Sequence, residues 1–309
     1  MSTHQNGATT TKHDPTQSHV AGSTSCRVGL LGVGLMGSAM AHRLLNEGTR
    51  VVAWDRDAGH VEGLRQRGAN IAGSAREVVA DADVVITMLP TAEIVLSVVE
   101  PLLSDWPKQT IWLQMSSVGA AESDQLAQVA AASEIVLFDA PVSGSTRPAE
   151  EGKLTILASG PDSARARIEP VLAALGSRVL WVGEAGKGSR LKLAANHWMI
   201  TMVAALAETM QLCDLMGLEQ QQFIELLDGG PLGSAYGLQK LAEMTQHEYP
   251  AGFPVRLALK DLSLVHEVAE GAHVEMPQLN AALGRMTEAA AGHADEDVAA
   301  VYELGVIER

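Results

Sequence analysis

The stretch Cys26-Arg27-Val28-Gly29-Leu30-Leu31-Gly32-Val33-Gly34-Leu35-Met36-Gly37 decides the fold. Its apolar run ending at Leu31 reads as a strand, Gly32, Gly34 and Gly37 form GxGxxG, and Met36 to Asn46 carries helical period. Strand, glycine turn and helix in that order make a site for a dinucleotide pyrophosphate. Gly32 permits the tight turn, Gly34 lets backbone approach the phosphates and Gly37 lets helix and strand pack closely. Leu35 and Met36 open the helix, whose free amides and positive dipole end attract the anion. Asp55 ends the next strand 21 residues after Gly34, where a carboxylate accepts from the adenosine ribose hydroxyls. A carboxylate there repels the 2′-phosphate of NADP, so NAD is favoured, although Arg56 follows at once and could pair with that phosphate.

Beyond this unit, β-branched runs alternate with helical stretches, the signature of a parallel sheet in an α/β domain. The strand candidates are CRVGLL, VVAW, DVVITML, TIWLQM, EIVLF, LTILAS and VLWVG. After Gly188 the strand signal stops. A run from Ser189 to Gly217 is long enough for about eight helical turns and is apolar on nearly all faces until Glu208, which predicts burial on every side between two domains. Helices are expected around Gln221 to Leu227, Leu238 to Gln246, Arg256 to Ala269 and Gln278 to Ala290, so the second domain reads as all α. The predicted organisation is a Rossmann-type dinucleotide-binding domain over residues 26–187 and an all-α domain over 188–309, joined by a long interdomain helix. A length of 309 residues agrees with two domains at roughly 150 each.

Composition narrows the partners. Against 22 Lys and Arg stand 37 Asp and Glu, a net charge of −15 that repels nucleic acid and anionic membranes. No apolar run reaches the roughly 18 residues of a membrane span. Residues 1–25 read as a disordered tail without the apolar core of a signal peptide, and the spacing of its His4, His13 and His19 matches no common metal site. Cys26 and Cys213 give no disulfide framework, which favours the cytoplasm.

Two further places carry chemistry. Asp139-Ala140-Pro141-Val142-Ser143-Gly144-Ser145 follows a strand, and such a turn either points a hydroxyl and amides at a small carboxylate or is a plain surface loop. Lys192 falls among Leu191, Leu193, Ala194 and Ala195 near the start of the long helix. Desolvation there depresses a lysine pKa and suits it to proton transfer, the alternative being a lysine that snorkels to water. Asn196, four residues on, shares its face.

GVGLMGSAMA, MLP at Met88 to Pro90, DAPVSGS, GKGSRLKLAAN at Gly186 to Asn196 and KDL at Lys260 to Leu262, in this order, resemble the β-hydroxyacid dehydrogenase family, which includes the 3-hydroxyisobutyrate dehydrogenases. The resemblance runs from Cys26 to about Leu304 and looks closest to the glyoxylate/succinic semialdehyde reductase branch. It implies Lys192 as catalytic acid/base, Asn196 orienting the reacting oxygen, and Ser143, Gly144 and Ser145 holding the substrate carboxylate. It places Met88, Leu89, Pro90, Ser117 and Lys260 against the cofactor, Phe253 and Asp261 on the substrate side, and implies a homodimer acting on a small 3-hydroxy acid or semialdehyde. The branch usually carries Asn-Arg-Thr and uses NADPH where this chain has Asp55-Arg56-Asp57. Ile94 stands where 3-hydroxyisobutyrate dehydrogenases often carry Asn, and Ala195 stands where 6-phosphogluconate dehydrogenases carry His. Imine reductases share the fold but usually replace the lysine, so Lys192 argues against that alternative. A dinucleotide-binding sensor without turnover would not need Lys192, Asn196 and Ser143 together.

Overall fold

The computed structural model describes residues 26–305, and the expectations for residues 1–25 lie outside them. The chain divides into two compact units. One comprises the residues up to Ser116 together with Gln125–Gly188, the other Ser117–Asp124 together with the residues from Ser189 onward.

In the first unit β1 (Arg27–Leu31), α1 (Leu35–Asn46), β2 (Arg50–Trp54), α2 (Ala58–Arg65), β3 (Asn70–Ile71), α3 (Ala75–Ala80), β4 (Val84–Thr87), α4 (Ala92–Val99), β5 (Ile111–Gln114), α5 (Ala120–Ala132, begun in the second unit) and β6 (Leu137–Asp139) alternate. The six strands form one parallel sheet in the order β3-β2-β1-β4-β5-β6. Its inner strands β4 and β5 are buried at every residue, as a sheet covered on both faces requires. Helix starts are set locally, Ser74 capping the Glu77 amide and Thr91 the Ile94 amide. Strand order reverses between β1 and β4, and ligands of open α/β sheets bind outside the carboxyl ends at that point.

The remaining strands depart from the expected single sheet. β7 (Val142–Ser143) precedes α6 (Thr146–Glu150), β8 (Leu154–Ala158), α7 (Arg165–Leu175) and β9 (Gly176–Trp181), and the three strands form a separate sheet. β7 pairs antiparallel with β8, and β8 parallel with β9. The parallel sheet stops at β6 because Asp139 exchanges backbone hydrogen bonds with Ser159 in an antiparallel bridge. EIVLF becomes strand only at Leu137, since Glu134, with φ 57°, and the Ile135 amide bonded to the Ala130 carbonyl still close α5.

The second unit holds α8 (Lys187–Leu215, begun in the first unit), α9 (Gln220–Leu227), α10 (Ala235–Gln246), α11 (Val255–Gly271), α12 (Pro277–His293) and a 3-10 helix over Val298–Gly305. Its core joins Ile200, Val203, Ala207 and Met210 of α8 to Leu241, Leu262 and Met286. Burial of α8 on every side, expected from its composition, is not observed. Leu191, Trp198 and Leu212, separated by seven and then fourteen residues on the opposite face, are exposed, Trp198 at 69%. The helix bears two apolar stripes, and this unit packs against one.

One polar cluster lies in that core. Lys240, 2% exposed, donates to Glu243 at 2.8 Å and to Asp297 at 2.7 Å. Asp297 also accepts from the amides of Phe253 at 2.9 Å and Ala299 at 3.0 Å. It thereby ties α10 to the loop bearing Phe253 and to the last 3-10 helix.

Candidate active site

The glycine loop makes a cradle in the first unit. A Cβ on Gly37 would lie 2.1 Å from the Gly32 carbonyl oxygen, and Gly32, with φ +100°, would clash with the Met88 carbonyl at 2.3 Å. Protein packing therefore demands both glycines. A Cβ on Gly34 would meet nothing within 4 Å, so its bareness leaves room for a group from outside the chain. Gly34 caps α1 with no side-chain hydrogen bond, and Leu35 is 65% exposed while Met36 packs against the core. Open space before uncapped helix amides fits a pyrophosphate.

Asp55 borders this cradle. Its Oδ2 accepts from the Val33 amide at 2.7 Å and its Oδ1 from the Asp57 amide at 2.9 Å, while His60 Nδ1 stands 3.3 Å from Oδ1. The carboxylate thus tethers the glycine loop to the end of β2, and the Arg56 side chain is exposed beside it.

Across the strand switch, the MLP turn is held by residues that sequence reasoning missed. Leu89 donates its amide to Ser116 Oγ at 2.8 Å, and Gln114 binds the Ser116 amide and carbonyl, each at 2.9 Å. Thr87 donates to Gln114 Oε1 and accepts from Trp112 Nε1, both at 3.0 Å. The available signal was a Thr and a Gln ending strands that are otherwise apolar, since buried polar groups need partners. Met88 and Leu89 are half-buried and Pro90 is exposed.

Ser143 and Gly144 are exposed and Ser145 half-buried at the start of α6. Neither serine hydroxyl has a hydrogen-bond partner among the described residues. Gly144 has φ +131°, which favours glycine there.

The remaining candidates lie in the second unit. Lys192 is half-buried on α8, and its Nζ makes no hydrogen bond or ion pair among the described residues. Burial holds its pKa below the ordinary lysine value, Asp261 opposes that shift and Lys260 adds to it. Asn196, one turn on and 2% exposed, donates Nδ2 to Asp261 Oδ2. Lys260 Nζ is 3.1 Å from Asp261 Oδ1 and donates to the Ser117 carbonyl at 2.7 Å. The structure therefore brings Asn196, Asp261, Lys260 and Ser117 together, while Phe253 packs half-buried on the helical core. Among the described residues no group of His, Cys, Asp and Glu could hold a metal ion.

A glycine cradle at the switch point of a parallel sheet and a helical unit with an unpaired lysine define a nicotinamide-dependent oxidoreductase. A family model described as the NAD binding domain of 6-phosphogluconate dehydrogenase matches residues 27–183, and one described as NAD-binding of NADP-dependent 3-hydroxyisobutyrate dehydrogenase matches 186–305. The chain is 33% identical over 287 residues to 2-(hydroxymethyl)glutarate dehydrogenase of Eubacterium barkeri, covering 91% of this chain and 95% of that protein. It is 32% identical to glyoxylate/succinic semialdehyde reductase 1 of Arabidopsis thaliana, covering 89% and 97%. The solved structure of Mycobacterium tuberculosis 3-hydroxyisobutyrate dehydrogenase with L-serine superposes with a TM-score of 0.85 at 27% identity, covering 91% of this chain and 99% of that one. The chain belongs to the β-hydroxyacid dehydrogenase family and is an NAD(P)-dependent oxidoreductase acting on CH–OH groups.

Proposed function

We propose that this protein interconverts a small 3-hydroxy acid and its carbonyl partner, with Lys192 as general acid/base and NAD preferred to NADP. The observation that carries the reading is the Lys192 amine, unpaired and with a depressed pKa, one helical turn before Asn196. Gly32, Gly34, Leu35, Met36 and Gly37 would hold the pyrophosphate, Asp55 the ribose diol, and Met88, Leu89 and Pro90 the nicotinamide side. The nicotinamide, when bound, supplies the hydride donor or acceptor. In oxidation the neutral Lys192 amine takes the hydroxyl proton, and in reduction its ammonium returns a proton to the developing alkoxide. Asn196 orients that oxygen, Ser143, Gly144 and Ser145 take the substrate carboxylate, and Phe253 borders the substrate.

Substrate class is supported by the names of the relatives, dehydrogenases and reductases of hydroxy acids and semialdehydes. The NAD preference is supported by the Asp55 carboxylate beside the loop. The exposed stripe of Leu191, Trp198 and Leu212 supports a homodimer, and two unpaired cysteines support the reducing cytoplasm. No described helix is long and apolar enough to cross a membrane. An imine reductase reading is disfavoured by Lys192.

The test is Lys192→Ala. Its kcat should fall roughly 100-fold to 10,000-fold while the NADH dissociation constant, read by fluorescence, stays near that of the wild type. In the unaltered protein, kcat for oxidation should rise with pH through an ionisation below the ordinary lysine range, and that for reduction should fall through it. Near-normal kcat in the variant would make Lys192 a snorkelling structural residue.

A further inference from the structure

Past the carboxyl end of β2, four charged or titratable side chains fall within six residues, Asp55, Arg56, Asp57 and His60. Asp57 caps α2, its Oδ1 accepting from the Gly59 amide at 2.8 Å, and the first turn of that helix brings His60 back over the strand end. Both ring nitrogens of His60 face carboxylates, Nδ1 standing 3.3 Å from Asp55 Oδ1 and Nε2 3.9 Å from Asp57 Oδ2. A neutral imidazole has one N–H and turns a lone pair toward the second carboxylate, whereas the imidazolium offers a donor to each. The His60 side chain is 51% exposed, so it can turn toward a ligand without opening the core.

Asp55 already accepts from the Val33 amide on Oδ2 and from the Asp57 amide on Oδ1, and its remaining lone pairs are those a ribose diol would use. The charge around it decides whether a 2′-phosphate is tolerated. Arg56 is exposed and makes no ion pair among the described residues. With His60 neutral the four side chains sum to one negative charge, and with His60 protonated they sum to zero. In the second state a 2′-phosphate meets two cations, both able to turn toward it.

Other charges near α2 are engaged elsewhere. On α2 itself Glu62 and Arg65 pair at 3.3 Å. The helix packs against α1, β2 and β3. β3 carries no charge and β2 has only Arg50, at its opposite end. On α1 and its C-cap, Arg43 pairs with Glu47 at 2.7 Å, and His42 feels Arg67 and Glu150. Asp55, Arg56 and Asp57 are therefore the charges set beside His60.

We propose that His60 gates cofactor choice: neutral, it leaves Asp55 and Asp57 to exclude a 2′-phosphate, and protonated, it cancels one of these carboxylates and admits NADP. The preference for NAD then narrows as pH falls. This rests on the reading that Asp55 takes the ribose diol and favours NAD.

The experiment titrates the full chain, without substrate, with NAD and with NADP in a calorimeter. Wild type, His60→Gln, His60→Lys and Asp55→Asn are each measured at about pH 8 and about pH 6, across which a histidine changes charge. The readout is the ratio of the NADP to the NAD dissociation constant. A phosphate monoester also takes up a proton in this range, so part of any fall in the ratio on acidification belongs to the ligand. His60→Gln isolates that part. The wild-type ratio should fall about threefold to tenfold more than that of His60→Gln. His60→Lys, a fixed cation, should already show at pH 8 a ratio about threefold to tenfold below the wild type.

An equal fall in His60→Gln and wild type would overturn the proposal, as would a wild-type ratio in His60→Lys at pH 8. Asp55→Asn keeps an oxygen for the Val33 amide and should weaken NAD while lowering the ratio at both pH values. If Asp55→Asn responds in this way and the His60 variants do not, the proposal alone fails. Unchanged dissociation constants in Asp55→Asn would strike the ribose assignment and the proposal with it.

Discussion

Gly34→Ala and Gly37→Ala separate ligand binding from folding within one loop. Gly34 has φ −69°, which alanine adopts without strain, and the added methyl meets no atom of the chain within 4 Å. Folding should be unharmed or gain about 0.4–1 kcal/mol from the stiffer unfolded chain. The methyl nevertheless enters the space assigned to the pyrophosphate, and overfilling a close-packed contact costs about 1–3 kcal/mol. That converts to roughly fivefold to 150-fold weaker binding of both NADH and NADPH. At Gly37 the methyl would stand 2.1 Å from the Gly32 carbonyl oxygen, a backbone atom that cannot step aside as a side chain does. Stability should fall by at least about 1–3 kcal/mol, and Tm by roughly 2–4 °C for each. Thermal unfolding followed by circular dichroism, with dissociation constants from NADH fluorescence, reads both quantities. Unchanged binding in Gly34→Ala would refute the assignment of this loop to the pyrophosphate, and equal destabilisation of the two variants would refute the packing argument.

Three other outcomes are expected. Steady-state kinetics should give a higher kcat/KM with NAD than with NADP because the Asp55 carboxylate repels a 2′-phosphate, and a clear NADP preference would show that Arg56 prevails. Replacing the substrate carboxylate by a neutral amide should raise KM sharply or abolish turnover, and equal turnover of acid and amide would remove Ser143 and Ser145 from anion recognition. Lys240→Met breaks a buried ion pair and should cost about 3–5 kcal/mol in urea unfolding, with a loss under about 1 kcal/mol showing that the cluster around Asp297 is not integral to the helical core.

The sheet was legible wherever a local pattern carried it. The order of strand, glycine turn, helix and acidic strand end requires no knowledge of distant partners, and β1, α1, β2, β4 and β5 lie where periodicity put them. Pairing was less legible. LTILAS reads as an apolar strand whichever sheet it joins, and only the bridge between Asp139 and Ser159 shows that the parallel sheet has already closed its edge. Composition also misjudged α8, because an apolar surface reports what a helix could bury and not what one unit covers. Lys192 stood out as a cation in an apolar run. Its companions did not, since Asn196 and Asp261 are 65 residues apart and meet only once α8 and α11 pack in the same unit.

The segment Ser117–Asp124 belongs to the helical unit although it is encoded within the sheet unit. The polypeptide thus passes from one unit to the other three times, after Ser116, after Asp124 and after Gly188. A fragment beginning at Ser189 would lack the carbonyl that Lys260 grips and the Asp124 carboxylate that pairs with Arg190 at 2.8 Å. The helical half is therefore not a module that can be cut at one site and grafted. Any chimaera between relatives would have to move those eight residues along with it, through two additional junctions inside the nucleotide-binding half.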